Sequence, residues 1–256
     1  MSIDNISIHD FDFNLICEYF SHMERQGPGS PEATLRALSF IEPLTDSAHI
    51  ADIGCGTGGQ TMTLAQHCPG RITGIDLFPT FIDLFNRNAA ALNLQERVKG
   101  IQGDMTALPF AEEELDLIWS EGALYCMGFV EGLAACHSLL VPGGAMGVSE
   151  LCWFQPDPPD DCLRFFTEEY PPMIDIAANL AAIQAAGFDV VGHFSLPESS
   201  WRDSYYAPMK PRLQVLRQTY ADDAAGVGML DMLQREIDMY ERFSAYYGYE
   251  FFLMRT

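Results

Sequence analysis

The chain has 256 residues, of which 48% are apolar, 12% aromatic and 20% charged, enough to bury a sizeable core and unlike a disordered chain. Its 14 basic and 36 acidic residues leave a net charge of −22, a field that repels phosphate backbones and anionic headgroups, so neither nucleic acid nor a membrane surface is an expected partner. Seven cysteines at 17, 55, 68, 126, 136, 152 and 162, with no Cys-x-x-Cys among them, read as reduced thiols of a cytoplasmic protein; they make neither a disulfide framework nor a zinc ribbon, and no metal site is expected.

The opening MSIDNISIHDFDF is acidic where a secretory signal is basic and then apolar, and no run reaches the roughly 18 apolar residues of a membrane span. From Phe11 to Met23 the positions Phe13, Ile16, Cys17 and Phe20 recur at helical spacing, and Gln26-Gly27-Pro28-Gly29 stops that helix. Ser30 as N-cap, Pro31 at the first helical position and Glu32 in the first turn start a second helix carrying Leu35, Leu38 and Ile41, closed by Pro43. From His49 short apolar runs alternate with helical patterns, which signals βαβ units and a parallel sheet. The expected strands are His49 to Ile53, Arg71 to Ile75, Val98 to Gln102, Leu115 to Ser120 and Ala145 to Leu151. Helices are expected at Gly59 to His67, Thr80 to Leu92 and Phe129 to Leu140.

Beyond Leu151, the stretch Gln155-Pro156-Asp157-Pro158-Pro159 is a loop, followed by aromatic-rich helices at Leu163 to Tyr170 and Met173 to Ala186. A strand at Phe188 to Phe194 comes next, then helix from Pro211 to Tyr247 interrupted near Gly226 to Gly228, then a final strand at Tyr249 to Met254, antiparallel at or near the sheet edge. The expected fold is α/β: a Rossmann-like, doubly wound, seven-stranded, mostly parallel sheet with helices on both faces and an N-terminal helical lid. It forms one domain over 1–256, divided into the lid (1–45), a cofactor-binding core (46–154) and substrate-side helices with the last two strands (155–256). In such a sheet ligands bind at the carboxyl ends of the strands, so the informative residues follow strands.

The strongest signal is Asp52-Ile53-Gly54-Cys55-Gly56-Thr57-Gly58-Gly59, a strand running into a glycine loop that opens a helix. Glycines allow a tight turn and close ligand approach, and the helix start presents free N–H groups. Gly54, Gly56 and Gly59 with Asp76 twenty residues after Gly56 also satisfy a dinucleotide spacing, so a nicotinamide cofactor is formally allowed. Asp52 argues against it, because a carboxylate there repels a pyrophosphate and favours an ammonium or sulfonium ligand.

That loop resembles the first motif of the class I S-adenosylmethionine-dependent methyltransferases, and further landmarks follow in order from Ala48 to about Glu150. Ile75-Asp76 is similar to the acid that takes both ribose hydroxyls, with Leu77 beside it. Gly103-Asp104-Met105 resembles the motif in which the aspartate accepts the adenine amino group and the next residue packs on the ring. Leu115 to Glu121 resembles the fourth strand and the start of the active-site loop, and Leu140-Val141-Pro142-Gly143-Gly144 the turn before the fifth. The resemblance is to the small-molecule branch of the family. It implies S-adenosylmethionine as cofactor, S-adenosylhomocysteine as product, and in-line methyl transfer to an O, N or C atom of a small acceptor.

By position, Asp52, Gly54, Gly56, Gly58, Asp76, Leu77, Asp104, Met105, Glu121 and Arg25 are the expected cofactor contacts, Arg25 near the cofactor carboxylate. Glu121 and Glu150, each after a strand, are the candidate bases if the acceptor is a hydroxyl or a protonated amine. Tyr125, Trp153 and Trp201 are the expected substrate pocket, the last two with Phe154, Tyr205 and Tyr206 as an aromatic lid. Asp52 and Asp104 have plainer uses, holding loop N–H groups and capping a turn. His137 and His193 read as structural. A non-catalytic S-adenosylmethionine-binding module, a nicotinamide oxidoreductase and an aminopropyl transferase are the competing readings. The acceptor and the oligomeric state are not readable from the sequence.

Overall fold

The computed structural model describes residues 13–169 and 173–256. The opening residues 1–12 and Tyr170, both included in the sequence reading, lie outside the described residues. In chain order the elements are α1 (Phe13–Phe20), α2 (Pro31–Leu38), β1 (His49–Ile53), α3 (Gly59–His67), β2 (Arg71–Asp76), α4 (Pro79–Ala91), β3 (Val98–Gln102), β4 (Leu115–Glu121), α5 (Phe129–Leu139) and β5 (Leu140–Trp153). They continue with α6 (Asp160–Glu169), α7 (Ile176–Ala185), β6 (Asp189–Ser195), α8 (Glu198–Trp201), α9 (Ala207–Thr219), α10 (Ala224–Phe243) and β7 (Tyr247–Arg255).

The seven strands form one sheet in the order β3-β2-β1-β4-β5-β7-β6. Strands β1 to β5 pair in parallel, while β7 runs antiparallel between β5 and β6. The order reverses at β1, whose neighbours are β2 and β4, and this switch point opens the ligand crevice at the strands' carboxyl ends. All five β1 residues are buried, as a strand covered on both faces requires. One face carries Ile50, Leu117, Trp119, Leu151 and Phe251 against α2, α3, α4 and α10. The other carries Ala51, Ile53, Ile118, Val148 and Phe252 against α5 and α7. Helix α4 comes close to the sheet because Phe85, fully buried, lies directly over Gly74 and Gly100.

Ser30 caps α2 as expected, its hydroxyl accepting from the Ala33 N–H at 3.1 Å, but α2 ends at Leu38 and does not reach Ile41. The largest differences are in the last third. Helix begins at Glu198, Pro211 sits inside α9 in its first turns, and the break falls at residues 220–223 rather than at Gly226 to Gly228. The break is set by Asp223, whose side chain accepts from the Ala225 N–H and starts α10. Gly226 is used for close packing, since a Cβ there would stand 2.9 Å from the Tyr220 Cβ. Strand β7 lies one place in from the sheet edge, with β6 outside it.

Candidate active site

The loop between β1 and α3 turns at Gly54, Gly56 and Gly58, all with positive φ (73°, 54° and 92°), a conformation that costs a residue with a Cβ. Asp76, at the end of β2, fastens it: Oδ2 accepts from the Gly56 N–H at 2.9 Å and Oδ1 from the Phe78 N–H at 3.0 Å. Each oxygen keeps a lone pair for a further donor. Burial raises the Asp76 carboxyl above its ordinary value, against those backbone N–H bonds. Beside it Leu77 is 52% exposed, an uncovered apolar side chain at the crevice.

Asp104 and Met105 follow β3. Asp104 is exposed and caps a short 3-10 turn, its Oδ1 accepting from the Thr106 N–H at 2.8 Å and the Thr106 hydroxyl at 2.7 Å. These bonds hold its carboxyl below the ordinary value. Met105 is half-buried, its Cε 3.7 Å from where a Gly54 Cβ would stand, and Ala123 closes the same spot from the β4 loop. Loops after β1, β3 and β4 therefore meet around Gly54.

Beneath the loop lies a buried polar network. Asp52, fully buried, accepts from the Thr61 hydroxyl at 2.5 Å and the Gln60 amide at 3.4 Å. Burial pushes its carboxyl up to about 7, with the Glu121 charge acting in the same direction and Arg25 against it. Glu121 is itself held by three donors: Arg25 Nη1 at 2.6 Å, the Thr34 hydroxyl at 2.7 Å and Trp119 Nε1 at 2.9 Å. The Arg25 and Glu121 side chains are 7% and 5% exposed, and Arg25 also donates to Thr34 at 3.0 Å. The arginine expected to face a ligand carboxylate is thus paired with the glutamate of the β4 loop, tying the N-terminal segment to the sheet.

That segment also lies on the glycine loop, which the sequence reading missed. Gln26 Oε1 accepts from the Thr57 N–H at 2.9 Å, and its amide donates to the Thr57 hydroxyl at 3.1 Å and to the Phe20 and Met23 carbonyls. A Cβ on Gly59 would run into the Glu24 carbonyl. The N-terminus of α3 is thereby covered, and one of its loop N–H groups is already used. The signal was available in Gln26-Gly27-Pro28-Gly29, a bend carrying one long amide, but nothing local says what the amide reaches.

Tyr125 sits in a 3-10 turn, Leu124–Met127, after β4. Its hydroxyl is pushed up by burial and by the neighbouring charges of Cys126, Tyr249 and Glu150. Glu150, buried in β5, is the direct cross-strand partner of Glu250, which is bound by His193 and Ser195 at 2.5 Å each. Trp201 is buried, with Tyr205 and Tyr206. Trp153 packs edge-on to Phe166 of α6 on that same side of the sheet, whereas Phe154 packs on the other side. The expected aromatic lid is therefore a buried cluster and not one covering surface, and Phe154 is no part of it. Among the described residues no group of three His, Cys, Asp or Glu side chains could hold a metal ion, and no helix is long and apolar enough to cross a membrane.

Residues 50–144 match the family model described as a methyltransferase domain. Over these residues the chain is similar to the methyltransferase domain family. The chain is 27% identical over 196 residues to the sterol 24-C-methyltransferase of Neurospora crassa, covering 73% of this chain and 51% of that protein. It is 29% identical over 116 residues to the erythromycin 3''-O-methyltransferase of Saccharopolyspora erythraea, covering 44% and 38%. The chain spans about half or less of the length of these curated relatives. In fold it is similar to the S-adenosylmethionine-dependent methyltransferase of Thiobacillus denitrificans solved with S-adenosyl-L-homocysteine, with TM-score 0.80, 23% identity and 98% of both chains covered. The Geobacter sulfurreducens methyltransferase in complex with the same molecule gives TM-score 0.81, 22% identity and 95% and 98% coverage.

The residues around the switch point fit S-adenosylmethionine. Asp76 offers two carboxylate oxygens at the switch point, Leu77 and Met105 offer apolar surface near it, and the acids Asp76, Asp104 and Glu121 outnumber Arg25. That balance suits a cationic ligand.

Proposed function

We propose that the chain transfers a methyl group from S-adenosylmethionine to a small-molecule acceptor. The observation that carries this over a nicotinamide reading is Gln26: it takes the Thr57 N–H and, with Glu24, covers the helix start where a dinucleotide's pyrophosphate binds. When bound, the cofactor supplies an electrophilic methyl group on a sulfonium sulfur. Asp76 accepts the two ribose hydroxyls, Leu77 and Met105 pack on the adenine ring, and Asp104 takes its amino group. Gly54, Gly56 and Gly58 let the backbone approach, and Asp52 anchors the start of α3 beneath it through Thr61 and Gln60.

Arg25 and Glu121, already bonded to each other, act by fixing residues 23–30 over this site. In this reading residues 1–45 are the lid of a single domain spanning 1–256. The protein's main task is to align the acceptor in line behind the methyl group and to exclude water, which demands few catalytic side chains. Where the acceptor must lose a proton, Glu150, whose charge reaches Tyr125, Cys126 and Tyr249, is the carboxylate we assign to receive it. Tyr125 and Trp201 lie on the acceptor side, with Trp153 further out beside α6.

Calorimetry with S-adenosylmethionine, S-adenosylhomocysteine and NADH tests the reading. The first two bind in the micromolar range, and Asp76→Ala weakens both by about tenfold or more, as loss of two hydrogen bonds to a charged group implies. NADH binding without them overturns it.

A further inference from the structure

Five of the chain's ten tyrosines converge on one carboxylate. Tyr206 donates to Glu236 Oε1 at 3.1 Å, and the Glu236 charge adds to burial in raising the hydroxyls of Tyr19, Tyr205, Tyr247 and Tyr249 as well. These groups come from α1, from the segment after α8, from β7 and from α10, so only the folded chain assembles them. Tyr205 and Tyr206 lie in a single π-helical turn, Arg202–Tyr206, an irregularity that frequently marks functional sites. Trp201 is stacked between Tyr240 at 4.5 Å and 12° and Tyr249 at 5.2 Å and 23°, which fixes one wall.

Two of these hydroxyls, on Tyr19 and Tyr247, are buried and have no hydrogen-bond partner among the described residues. Buried polar groups are rarely left so, because the desolvation is then uncompensated, and such groups point to a bound molecule. The cluster adjoins the proposed cofactor site: the Tyr249 hydroxyl stands 3.0 Å from where a Cβ on Gly122 would be, in the loop immediately after Glu121. Of the nearest cations, Arg202, over Tyr240, pairs with Glu198 at 3.1 Å, and Arg212, beside Tyr19, lies 3.7 Å from the Glu18 carboxylate and donates through Nη2 to the Glu18 carbonyl, while its buried Nε has no hydrogen-bond partner among the described residues.

We propose that this cluster is the acceptor site and that it takes an amine, bound as its ammonium ion, which gives one proton to a carboxylate before the nitrogen lone pair bonds the methyl carbon and the carbon–sulfur bond breaks to leave S-adenosylhomocysteine. The faces of the tyrosine and tryptophan rings attract a cation, Glu236 supplies the opposite charge, and the Tyr19 and Tyr247 oxygens accept from ammonium N–H groups. An anionic acceptor would meet Glu236 and the net charge of −22. This rests on the methyltransferase reading above, and the test separates the two.

Phenethylamine, cyclohexylamine and benzylamine are titrated into the protein saturated with S-adenosylhomocysteine, beside 2-phenylethanol and 3-phenylpropionate, and binding is read by calorimetry and by tryptophan fluorescence. At least one amine binds about tenfold or more tightly than the alcohol, and the acid does not bind. Glu236→Gln abolishes the preference while the affinity for S-adenosylhomocysteine stays within about twofold. Tyr247→Phe, which removes an unpartnered hydroxyl, weakens amine binding at least about threefold without lowering the melting temperature; this readout stands if the Glu236 variant fails to fold. Equal binding of the alcohol, no binding of any of the three amines, or a preference surviving both substitutions overturns the proposal. A wild-type protein that does not bind S-adenosylhomocysteine overturns the methyltransferase reading and this inference with it.

Discussion

Replacing Arg25 by methionine keeps most of the side-chain volume and removes only the charged end. In the native chain that end donates to Glu121 at 2.6 Å and Thr34 at 3.0 Å, and the Arg25 and Glu121 side chains are 7% and 5% exposed. The variant leaves a buried Glu121 carboxylate with the Thr34 and Trp119 donors alone. Removing one partner of such a pair costs about 3–5 kcal/mol, because the remaining charge is left uncompensated. For a chain of this size each kcal/mol lowers the melting temperature by about 2–4 °C, so Arg25→Met melts on the order of 10 °C lower. Glu121→Gln alone is also destabilising, and the double variant is less destabilised than the two single losses added, by about 1–3 kcal/mol. Thermal and urea unfolding of the four proteins measure this. A single variant within about 2 °C of native, or strictly additive losses, refutes the claim that this pair holds residues 23–30 to the sheet.

The Asp52 carboxyl, pushed up to about 7 by burial, holds a proton that the unfolded chain releases near pH 4. Its contribution to stability is therefore complete below about pH 4 and lost as pH rises through about 7. Asp52→Asn, which has no charge to bury, gains stability relative to wild type between pH 5 and pH 8 in urea unfolding; a difference that does not change with pH contradicts the assignment. Gln26→Ala, which removes the amide from the glycine loop, weakens S-adenosylhomocysteine binding by about threefold to tenfold in calorimetry through the loss of one or two hydrogen bonds; unchanged affinity shows that the segment is no part of the site. Gly100→Ala places a Cβ 2.7 Å from the Phe85 ring and costs about 1–3 kcal/mol by overpacking, seen in urea unfolding; a neutral outcome means α4 can move off the sheet.

The chain's local chemistry fixes much of this on its own. Strand runs, glycine turns and the Ser30 cap are short-range features, decided by backbone sterics and by side chains within three or four residues. For that reason Asp52, Asp76 and Asp104 could be placed at or just beyond the carboxyl ends of their strands, which meet at the switch point. The partners of these residues are another matter. Arg25 meets Glu121 ninety-six positions away and Gln26 meets Thr57 thirty-one away. A salt bridge or amide contact leaves no periodic trace in sequence, so the arginine expected to face a ligand pairs with an acid instead. The break at residues 220–223 was misplaced because glycines inside a helix look like a stop until Tyr220 is seen packed against Gly226. The tyrosines from α1, the π-helical turn, α10 and β7 converge only because the last antiparallel strand inserts between β5 and β6. Composition supplied the tyrosines and the net negative charge, and long-range packing alone decided that Tyr206 meets Glu236.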